Sequence, residues 1–277
     1  MSKRRFFMKN VKAVMCDIDG TLLSSNGIVT PKTIEAIKKL REHEILFGIS
    51  TGRDVPSVKH LLKVWGIDGL VDLMVGSNGG EIYDYADDYY EMNYPLPGSL
   101  ILEIMKHFED MDVNFAIHGD GVLYTPKEDD LIKSLSDTDQ LPYEVIDFNE
   151  FLKQDQLKLL ITCAPETMPA VIERSKSFHN EKFKSACLQT TKLLFEFMDP
   201  RISKAFGLEK ILKKRGFTME NLCSFGDADN DYDMTLHAEV GVVMGNGSEM
   251  TKSVADYVTE DNDHDGIGCF IEKYLIN

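Results

Sequence analysis

The chain has 277 residues, of which 43% are hydrophobic, so it can bury the core of one large domain or of two modest ones. Its 46 acidic and 30 basic residues give a net charge of −16, which opposes non-specific attraction to nucleic acid or to an anionic membrane. We therefore expect neither as a partner. A small anionic ligand is compatible with this charge, because a local site can hold a metal ion and a few cations.

The N-terminal segment and the cysteines both favour a cytoplasmic location. Residues 1–10 contain a basic KRR triplet, but the short apolar run before Lys9 is far from the length of a signal sequence. No other segment approaches the length that spans a membrane. The five cysteines are odd in number and contain no CxxC pair, which is typical of buried thiols in a reducing compartment.

An unbroken apolar run near the N-terminus predicts a first strand that is buried on both faces of a parallel sheet. It lies in the stretch VKAVMCDIDGTL, from Val11 to Leu22, and Asp17 and Asp19 follow it directly. The elements after it alternate in type: a helix over residues 31–43, a strand over 45–49, a helix over 54–65 and a strand over 70–75. This order is a doubly wound α/β pattern, in which ligands bind at the carboxyl ends of the strands.

The alternating pattern stops at residues 82–94, where aromatic and acidic residues (YDYADDYYEMNY) are followed by Pro95 and Pro97. A composition shift that ends in prolines predicts a domain junction, although a long surface hairpin on one domain is the alternative. We favour the junction because the residues after it have a pattern of their own. They predict an α+β lobe, with helices over 100–108 and 165–178, and strands over 113–117, 122–124, 157–162, 186–190 and 193–198.

The last third of the chain returns to the first pattern. A helix over residues 204–214 precedes a short buried strand over 222–225, and further strands are predicted over 240–244 and 257–258. The two end portions therefore form one sheet, and the middle lobe is inserted into it. We predict a core domain of residues 1–84 and 199–277, and an inserted domain of residues 85–198.

Polar residues follow four of the predicted core strands. They form the clusters Asp17, Asp19 and Thr21; Ser50, Thr51 and Arg53; Ser77 and Asn78; and Asp227, Asn230 and Asp231. Lys204 adds a cation at the start of the preceding helix. Carboxylates that converge on one site repel one another, so we expect a hard cation to neutralise them. Mg²⁺ suits this role because it prefers oxygen ligands. A lone DxDGT also fits a solvated turn, but GDADND and TGR at other strand ends favour a shared site.

These motifs resemble the haloacid dehalogenase superfamily of phosphohydrolases, in particular its Cof-type branch. The resemblance covers the whole chain: DIDGTLL, STGR, GSNGG, ISKAFGL, GDADNDYDM and VVMGNGSEMTKSVADYVTEDNDHDGIG occur in order and at family-like separations. It implies a Rossmann-like core with a large cap domain inserted after the third core strand. This architecture agrees with the two junctions that the composition predicts.

The resemblance also implies the roles of four aspartates. Asp17 would be the nucleophile that forms an aspartyl-phosphate, and Asp19 would protonate the leaving alcohol and then activate water. Mg²⁺ would be held by the Asp17 carboxylate, the backbone carbonyl of Asp19 and the Asp227 carboxylate. Asp231 would bind a metal water or orient Lys204. An acid at position 19, rather than threonine, favours hydrolysis over a lasting phosphorylated state.

By the same resemblance, the remaining motif residues would bind the phosphoryl group. Thr51 would donate a hydrogen bond to a phosphoryl oxygen beside the amide of Gly52, and Asn230 would hold the phosphate. Lys204 would neutralise the charge that grows on the nucleophile and the phosphate. Ser50 is a competing hydroxyl, but Thr51 directly precedes Gly52, as in the family pattern.

Other polar stretches have simpler interpretations. The seven histidines show no metal-binding spacing, and we interpret them as surface or packing residues. The segment Gly245-Asn246-Gly247 lacks the lysine of a P-loop and fits a supporting turn, and EDNDHDG fits a solvated acidic loop rather than a calcium site. In the inserted domain, the residues that either face substrate or lie on the surface are His118, Asp120, Tyr124 and Glu196.

The sequence thus predicts a Mg²⁺-dependent phosphatase of small phosphomonoesters; it leaves the oligomeric state open, and a monomer is favoured. Sugar phosphates are the first expectation for the substrate, followed by pyridoxal phosphate and by flavin or nucleotide monophosphates. The alternatives are a sugar phosphomutase or phosphotransferase and, from a different class, a phospho-receiver regulatory protein. Asp19 and the inserted domain argue against the receiver, which needs neither.

Overall fold

The structure is a computed structural model that describes residues 8–276. The first seven residues, for which no targeting peptide is predicted, lie outside this range together with the last residue. The chain folds into two compact units. Within the described range, the first unit contains residues 8–91 and 203–276, and the second unit contains residues 92–202.

The elements that the alternating pattern predicts for the first unit occur in the predicted order. The bounds that follow cover both units. The strands are β1 (Ala13–Cys16), β2 (Leu46–Ser50), β3 (Leu73–Gly76), β4 (Glu81–Asp84), β5 (Tyr89–Met92), β6 (Asn114–Gly119), β7 (Val122–Thr125), β8 (Tyr143–Val145), β9 (Lys158–Thr162), β10 (Ala186–Gln189), β11 (Leu194–Met198), β12 (Leu222–Gly226), β13 (Val240–Val243) and β14 (Tyr257–Val258). The helices are α1 (Pro31–Glu42), α2 (Val55–Leu61), α3 (Gly98–His107), α4 (Asp130–Asp139), α5 (Phe148–Phe151), α6 (Met168–Ser175), α7 (Lys204–Lys214), α8 (Tyr232–His237), α9 (Glu249–Lys252) and α10 (Gly266–Phe270).

The first unit is built on an eight-stranded sheet in the order β14-β13-β12-β1-β2-β3-β4-β5. The strands from β14 to β3 pair in parallel, and β4 pairs antiparallel to β3. From the centre the chain runs outward through β2 and β3 on one side, and through β12, β13 and β14 on the other. The predicted doubly wound α/β fold is therefore confirmed, with its switch point between β1 and β12.

Two apolar layers bury this sheet. Residues of α1 such as Ile37 and Leu40 pack with Phe47 and Ile49 of β2 in one buried cluster. Apolar residues of α7, including Leu208, pack with other strand residues in a second buried cluster. All four residues of β1 are fully buried, which explains why its sequence is apolar without alternation.

The second unit contains a six-stranded, mainly antiparallel sheet in the order β10-β11-β9-β6-β7-β8. Buried residues of α3 and α6 share one apolar cluster with alternate residues of β9 and β11. Ile132 and Leu135 of α4 form a smaller cluster with Ala116, Leu123 and Leu160. The unit is an α+β lobe with its own core.

The unit boundaries lie a few residues beyond the junctions expected from composition. Residues 85–91, which the sequence assigns to the inserted domain, belong to the first unit as part of the β4–β5 segment, and residues 199–202 belong to the second unit. The sequence prediction also omits α4, β8 and α5 of the second unit, and β4, β5, α8, α9 and α10 of the first. In the part of the chain that the structure describes, no helix is both long and apolar enough to cross a membrane.

Candidate active site

The carboxyl ends of β1 and β12 bring two predicted acidic motifs together. These strands pair in parallel, and the amide of Asp17 continues the ladder by donating to the carbonyl of Phe225 at 2.9 Å. Asp17 follows β1, Asp227 follows β12 and Thr51 follows β2, the other neighbour of β1. Parallel strands present their carboxyl ends at the same edge, so all three residues lie at one edge of the sheet, with Asp17 and Asp227 at its switch point.

Lys204 occupies the centre of this acidic region. Its Nζ donates to Oδ1 of Asp17 at 2.5 Å and to Oδ1 of Asp231 at 2.6 Å. Helix α7 positions the lysine because Ser203 caps the helix start, accepting a hydrogen bond from the amide of Phe206 at 3.2 Å. The Lys204 side chain is fully buried, so the two ion pairs are shielded from water.

Burial and charge act in opposite directions on this triad. Burial alone would lower the pKa of Lys204, but Asp17 and Asp231 outweigh it, so the pKa is raised and the ammonium keeps its proton. Burial also raises the pKa of Asp17 above its ordinary value, against the effect of Lys204, and Asp231 adds to the increase. The site therefore has a surplus of negative charge that a second cation would relieve.

Asp231 is fixed as an orienting group. Its Oδ2 accepts hydrogen bonds from the amides of Asp227 at 2.9 Å and Ala228 at 3.0 Å, while its Oδ1 binds Lys204. A side chain on Gly226 would collide with it, because a Cβ there would lie 2.5 Å from the Asp231 Cβ. The glycine before Asp227 thus allows the loop to fold over the Asp231 carboxylate.

Asp227 is held from the β1 side. Thr21 donates its hydroxyl to Oδ1 of Asp227 at 2.6 Å. Gly20 has a φ of +84°, and a Cβ at this position would lie 2.5 Å from Oδ2 of Asp227. Burial raises the pKa of Asp227 to about 6, although the Thr21 hydrogen bond acts in the opposite direction. Gly20 and Thr21 of the DIDGT motif therefore position the carboxylate of Asp227, which belongs to the GDADND motif.

The donor set fits a hard divalent cation. Asp17, Asp227 and Asp231 each offer a carboxylate oxygen, and these atoms lie within 4.8 Å of one another. Carboxylates are the ligands that Mg²⁺ takes in proteins. The oxygens of Asp231 already accept three hydrogen bonds, so Asp17 and Asp227 are the better side-chain ligands.

Asp19 differs from this buried group because its side chain is exposed and pairs with Arg53. Its side chain is 59% exposed, whereas that of Arg53 is only 15% exposed. Nε and Nη2 of Arg53 donate to Oδ2 and Oδ1 of Asp19, both at 2.9 Å. This bidentate pair fixes the plane of the carboxylate. The sequence places Arg53 in a polar cluster but does not reveal its partner.

The phosphate-binding candidates lie on the loops after β2, β3 and β12. Thr51 is buried, and its hydroxyl accepts a hydrogen bond from the amide of Arg53 at 3.2 Å. Asn230 donates its side-chain amide to Oδ1 of Asn78 at 3.1 Å. Gly52 lies against the same Asn78, since a Cβ on Gly52 would be 3.3 Å from that oxygen. Asn78 thus joins two residues predicted to bind phosphate.

Two C-terminal segments, interpreted from the sequence as a supporting turn and a solvated loop, form hydrogen bonds with the loop after Asp17. Nδ2 of Asn246, in the predicted supporting turn, donates to the carbonyl of Gly20 at 2.9 Å. In the EDNDHDG segment, Asn262 donates to the carbonyl of Leu23 at 2.8 Å, and Asp263 accepts from the amide of Ser25 at 2.8 Å. These side chains hold the loop that follows Asp17. The interpretation of EDNDHDG as a merely solvated loop is therefore incomplete.

The four candidates in the second unit are dispersed. His118 pairs with Asp139 at 2.9 Å, and Glu196 forms a buried pair with Lys158 at 3.2 Å. Tyr124 packs on Phe151, with ring centroids 4.8 Å apart, in the apolar cluster that contains residues of α3, α6, β9 and β11. Asp120 occupies a turn with a φ of +53°. No shared site joins these four residues within the described part of the second unit.

The comparison with protein families decides the identity. Residues 14–271 match the family described as haloacid dehalogenase-like hydrolase. The chain belongs to this family. The resemblance inferred from the motifs is confirmed, and so is the prediction that the protein is a hydrolytic enzyme.

Two phosphatases related to this haloacid dehalogenase-like hydrolase match it over nearly their whole length. The 5-amino-6-(5-phospho-D-ribitylamino)uracil phosphatase YitU of Bacillus subtilis is 28% identical over 268 residues, covering 95% of this chain and 97% of the relative. Pyridoxal phosphate phosphatase YbhA of Escherichia coli is 25% identical, with coverages of 96% and 99%. A haloacid dehalogenase-like hydrolase from Bacteroides thetaiotaomicron shares the fold, with a TM-score of 0.86, 23% identity and coverages of 95% and 99%.

Proposed function

We propose that the protein is a Mg²⁺-dependent phosphatase that hydrolyses small phosphomonoesters through an aspartyl-phosphate on Asp17. One observation carries the proposal: the ammonium of Lys204 is buried between Asp17 and Asp231 at the switch point, with Asp227 in the same group. A buried cation beside an ionised nucleophile is suited to phosphoryl transfer, which depends on positioning and charge neutralisation. The names of the relatives, which are phosphatases, support the reaction class.

The metal ligands in this proposal are the carboxylates of Asp17 and Asp227 and the backbone carbonyl of Asp19. When bound, Mg²⁺ would neutralise carboxylate charge and orient the phosphoryl group. Asp231 contributes by holding Lys204 rather than by direct ligation, because its two oxygens already accept hydrogen bonds from Lys204 and from two backbone amides. Thr21 fixes the rotamer of Asp227.

The chain's own residues supply the covalent chemistry. A carboxylate oxygen of Asp17 attacks phosphorus, and the bond from phosphorus to the ester oxygen breaks. Asp19 gives a proton to that departing oxygen, so an alcohol leaves. Asp19 then takes a proton from water, which attacks the phosphorus and releases inorganic phosphate with return of the Asp17 carboxylate. The exposure of Asp19 suits both proton transfers, and Arg53 holds its carboxylate in a defined plane.

The remaining motif residues hold the phosphoryl oxygens. Thr51 and the amide of Gly52 donate hydrogen bonds, Asn230 donates its side-chain amide, and Lys204 balances the negative charge. Thr51 and Gly52 lie at the end of β2, next to β1, and Asn230 follows β12 on its other side. The proposed donors therefore flank Asp17 from both neighbouring strands.

The proposed substrates are small phosphorylated metabolites. Sugar phosphates are the first choice, followed by pyridoxal phosphate and by flavin or nucleotide monophosphates. The name of the relative YbhA, a pyridoxal phosphate phosphatase, supports the second choice. We assign selection among them to the inserted unit, predicted as residues 85–198. The proposed enzyme acts as a monomer.

Release of inorganic phosphate from a panel of these esters, with and without Mg²⁺, tests the proposal. Asp17→Asn removes the nucleophilic carboxylate at nearly constant size and should abolish turnover, whereas Asp19→Asn should slow it. Asp233→Asn is the matched control, because Asp233 is an exposed aspartate on α8. A folded Asp17→Asn variant with wild-type activity would refute the mechanism. An isomeric phosphate in place of free phosphate would instead identify a mutase.

A further inference from the structure

The loop after β3 has an uncommon backbone at three successive residues. Ser77, Asn78 and Gly79 have φ values of +48°, +55° and +108°. Glycine adopts such angles freely, but side chains on the other two residues make them costly, by about 1 kcal/mol or more each. A strained loop of this kind persists only where its surroundings hold it, and such loops cluster at functional sites.

Two hydrogen bonds hold this loop against the end of β2, and a third joins it to β4. The amide of Ser77 donates to the carbonyl of Arg53 at 2.8 Å, and the amide of Asn78 donates to the carbonyl of Thr51 at 2.9 Å. The Ser77 hydroxyl donates to the buried Glu81 at 2.7 Å. The loop is therefore docked on the segment from Thr51 to Arg53, which contains two of the proposed phosphate-binding groups.

The Asn78 side chain lies against two of the proposed phosphate-binding groups, Asn230 and Gly52. It is 5% exposed, its Oδ1 accepts the hydrogen bond from Nδ2 of Asn230 at 3.1 Å, and its amide lies against Gly52. Asparagine is common at positive φ, but that preference does not require a buried amide aimed at Asn230.

We propose that Asn78 is a positioning residue of the phosphoryl site, which orients the amide of Asn230. An amide with two N–H groups can donate one to Oδ1 of Asn78 and the other to a phosphoryl oxygen. Fixing the first hydrogen bond sets the direction of the second and removes the rotational freedom of the side chain before the ligand arrives. This role rests on the proposed function, because it requires that Asn230 bind the phosphoryl group.

A double-mutant cycle with Asn78→Gly and Asn230→Ala tests the role. Glycine removes the Asn78 amide yet accepts a φ of +55° without strain. We expect Asn78→Gly to weaken competitive inhibition by inorganic phosphate about threefold to tenfold, the value of one net hydrogen bond, and to lower kcat/KM similarly. In the Asn230→Ala background the same change should have no further effect. Glu44→Gly, an exposed position with a φ of +57°, should leave both quantities unchanged.

Two results would overturn the inference. One is wild-type phosphate inhibition in Asn78→Gly, and the other is an Asn78→Gly effect that persists at full size without Asn230, since a positioning residue acts only through its partner. Thermal melts of all variants separate loss of function from unfolding. If the wild-type enzyme released no phosphate from any ester, the proposed function itself would fail, which is a distinct outcome.

Discussion

Replacement of Lys204 by methionine removes the buried cation while keeping a side chain of similar length. The wild-type ammonium lies 2.5 Å from Asp17 and 2.6 Å from Asp231. Without it, two carboxylates face each other in a group whose ligand atoms lie within 4.8 Å of one another. At an effective dielectric constant of about 20, this pair repels by about 3 kcal/mol. We expect the free energy of unfolding of the metal-free variant to fall by about 3–5 kcal/mol at pH 8.

The loss should depend on pH in a defined direction. Protonation of one carboxylate relieves the repulsion, so its pKa in the folded variant is raised above the unfolded value of about 3.9. A group with a raised folded pKa stabilises the fold at low pH, and this stabilisation is lost as the pH rises through the folded pKa. The difference between wild type and Lys204→Met should therefore shrink from pH 8 to pH 5.

Urea unfolding followed by far-ultraviolet circular dichroism measures this difference at several pH values. Lys213→Met is the matched control, because Lys213 is an exposed residue of the same helix and its replacement should change stability by about 0.5 kcal/mol or less. Equal losses for Lys204→Met at pH 5 and pH 8 would show that lost packing, not carboxylate repulsion, destabilises the variant. That result would refute the electrostatic reasoning.

Three further predictions concern the neighbouring contacts. Gly20→Ala should reduce the rise in Tm that Mg²⁺ causes, because its Cβ would lie 2.5 Å from Oδ2 of Asp227; an unchanged rise would contradict this. Arg53→Lys should lower kcat roughly tenfold, since lysine lacks the planar guanidinium whose two nitrogens donate to the Asp19 carboxylate. An unchanged kcat in steady-state kinetics would contradict this prediction. Stabilisation by Mg²⁺ should weaken below about pH 6, since burial raises the pKa of Asp227 to about 6 and its protonated form binds metal poorly; calorimetric titration showing equal affinity at pH 5 and pH 8 would exclude this.

The sequence predicts the parallel strands of the core sheet well because all of them except the edge strand β14 are buried on both faces. Such strands read as short apolar runs, and the polar residues that follow β1, β2 and β12 mark the edge where the site lies. The positions of Asp17, Thr51 and Asp227 at one edge then follow from parallel pairing alone. Lys204 is located by its helix, whose start at Ser203 is encoded by a local capping contact.

What the sequence misses depends on weak patterns or on distant pairs. Helix α4 has only two buried residues, Ile132 and Leu135, so its apolar periodicity is faint, although Asp129 caps it. The pair of Arg53 and Asp19 joins residues 34 positions apart, and the contact of Asn230 with Asn78 spans 152 positions. No local pattern encodes such partners, because they depend on how the loops after different strands fold.

The charges of the site explain why an acidic protein can serve an anionic substrate. Four carboxylates, from Asp17, Asp19, Asp227 and Asp231, lie with two cations, Lys204 and Arg53, so the site has two negative charges in excess when all are ionised. A dianionic phosphomonoester would meet repulsion there, on top of the net charge of −16. One divalent cation cancels this excess. Because Lys204 is already paired with Asp17 and Asp231, a bound divalent cation would supply the further positive charge that a dianionic phosphate needs at this site.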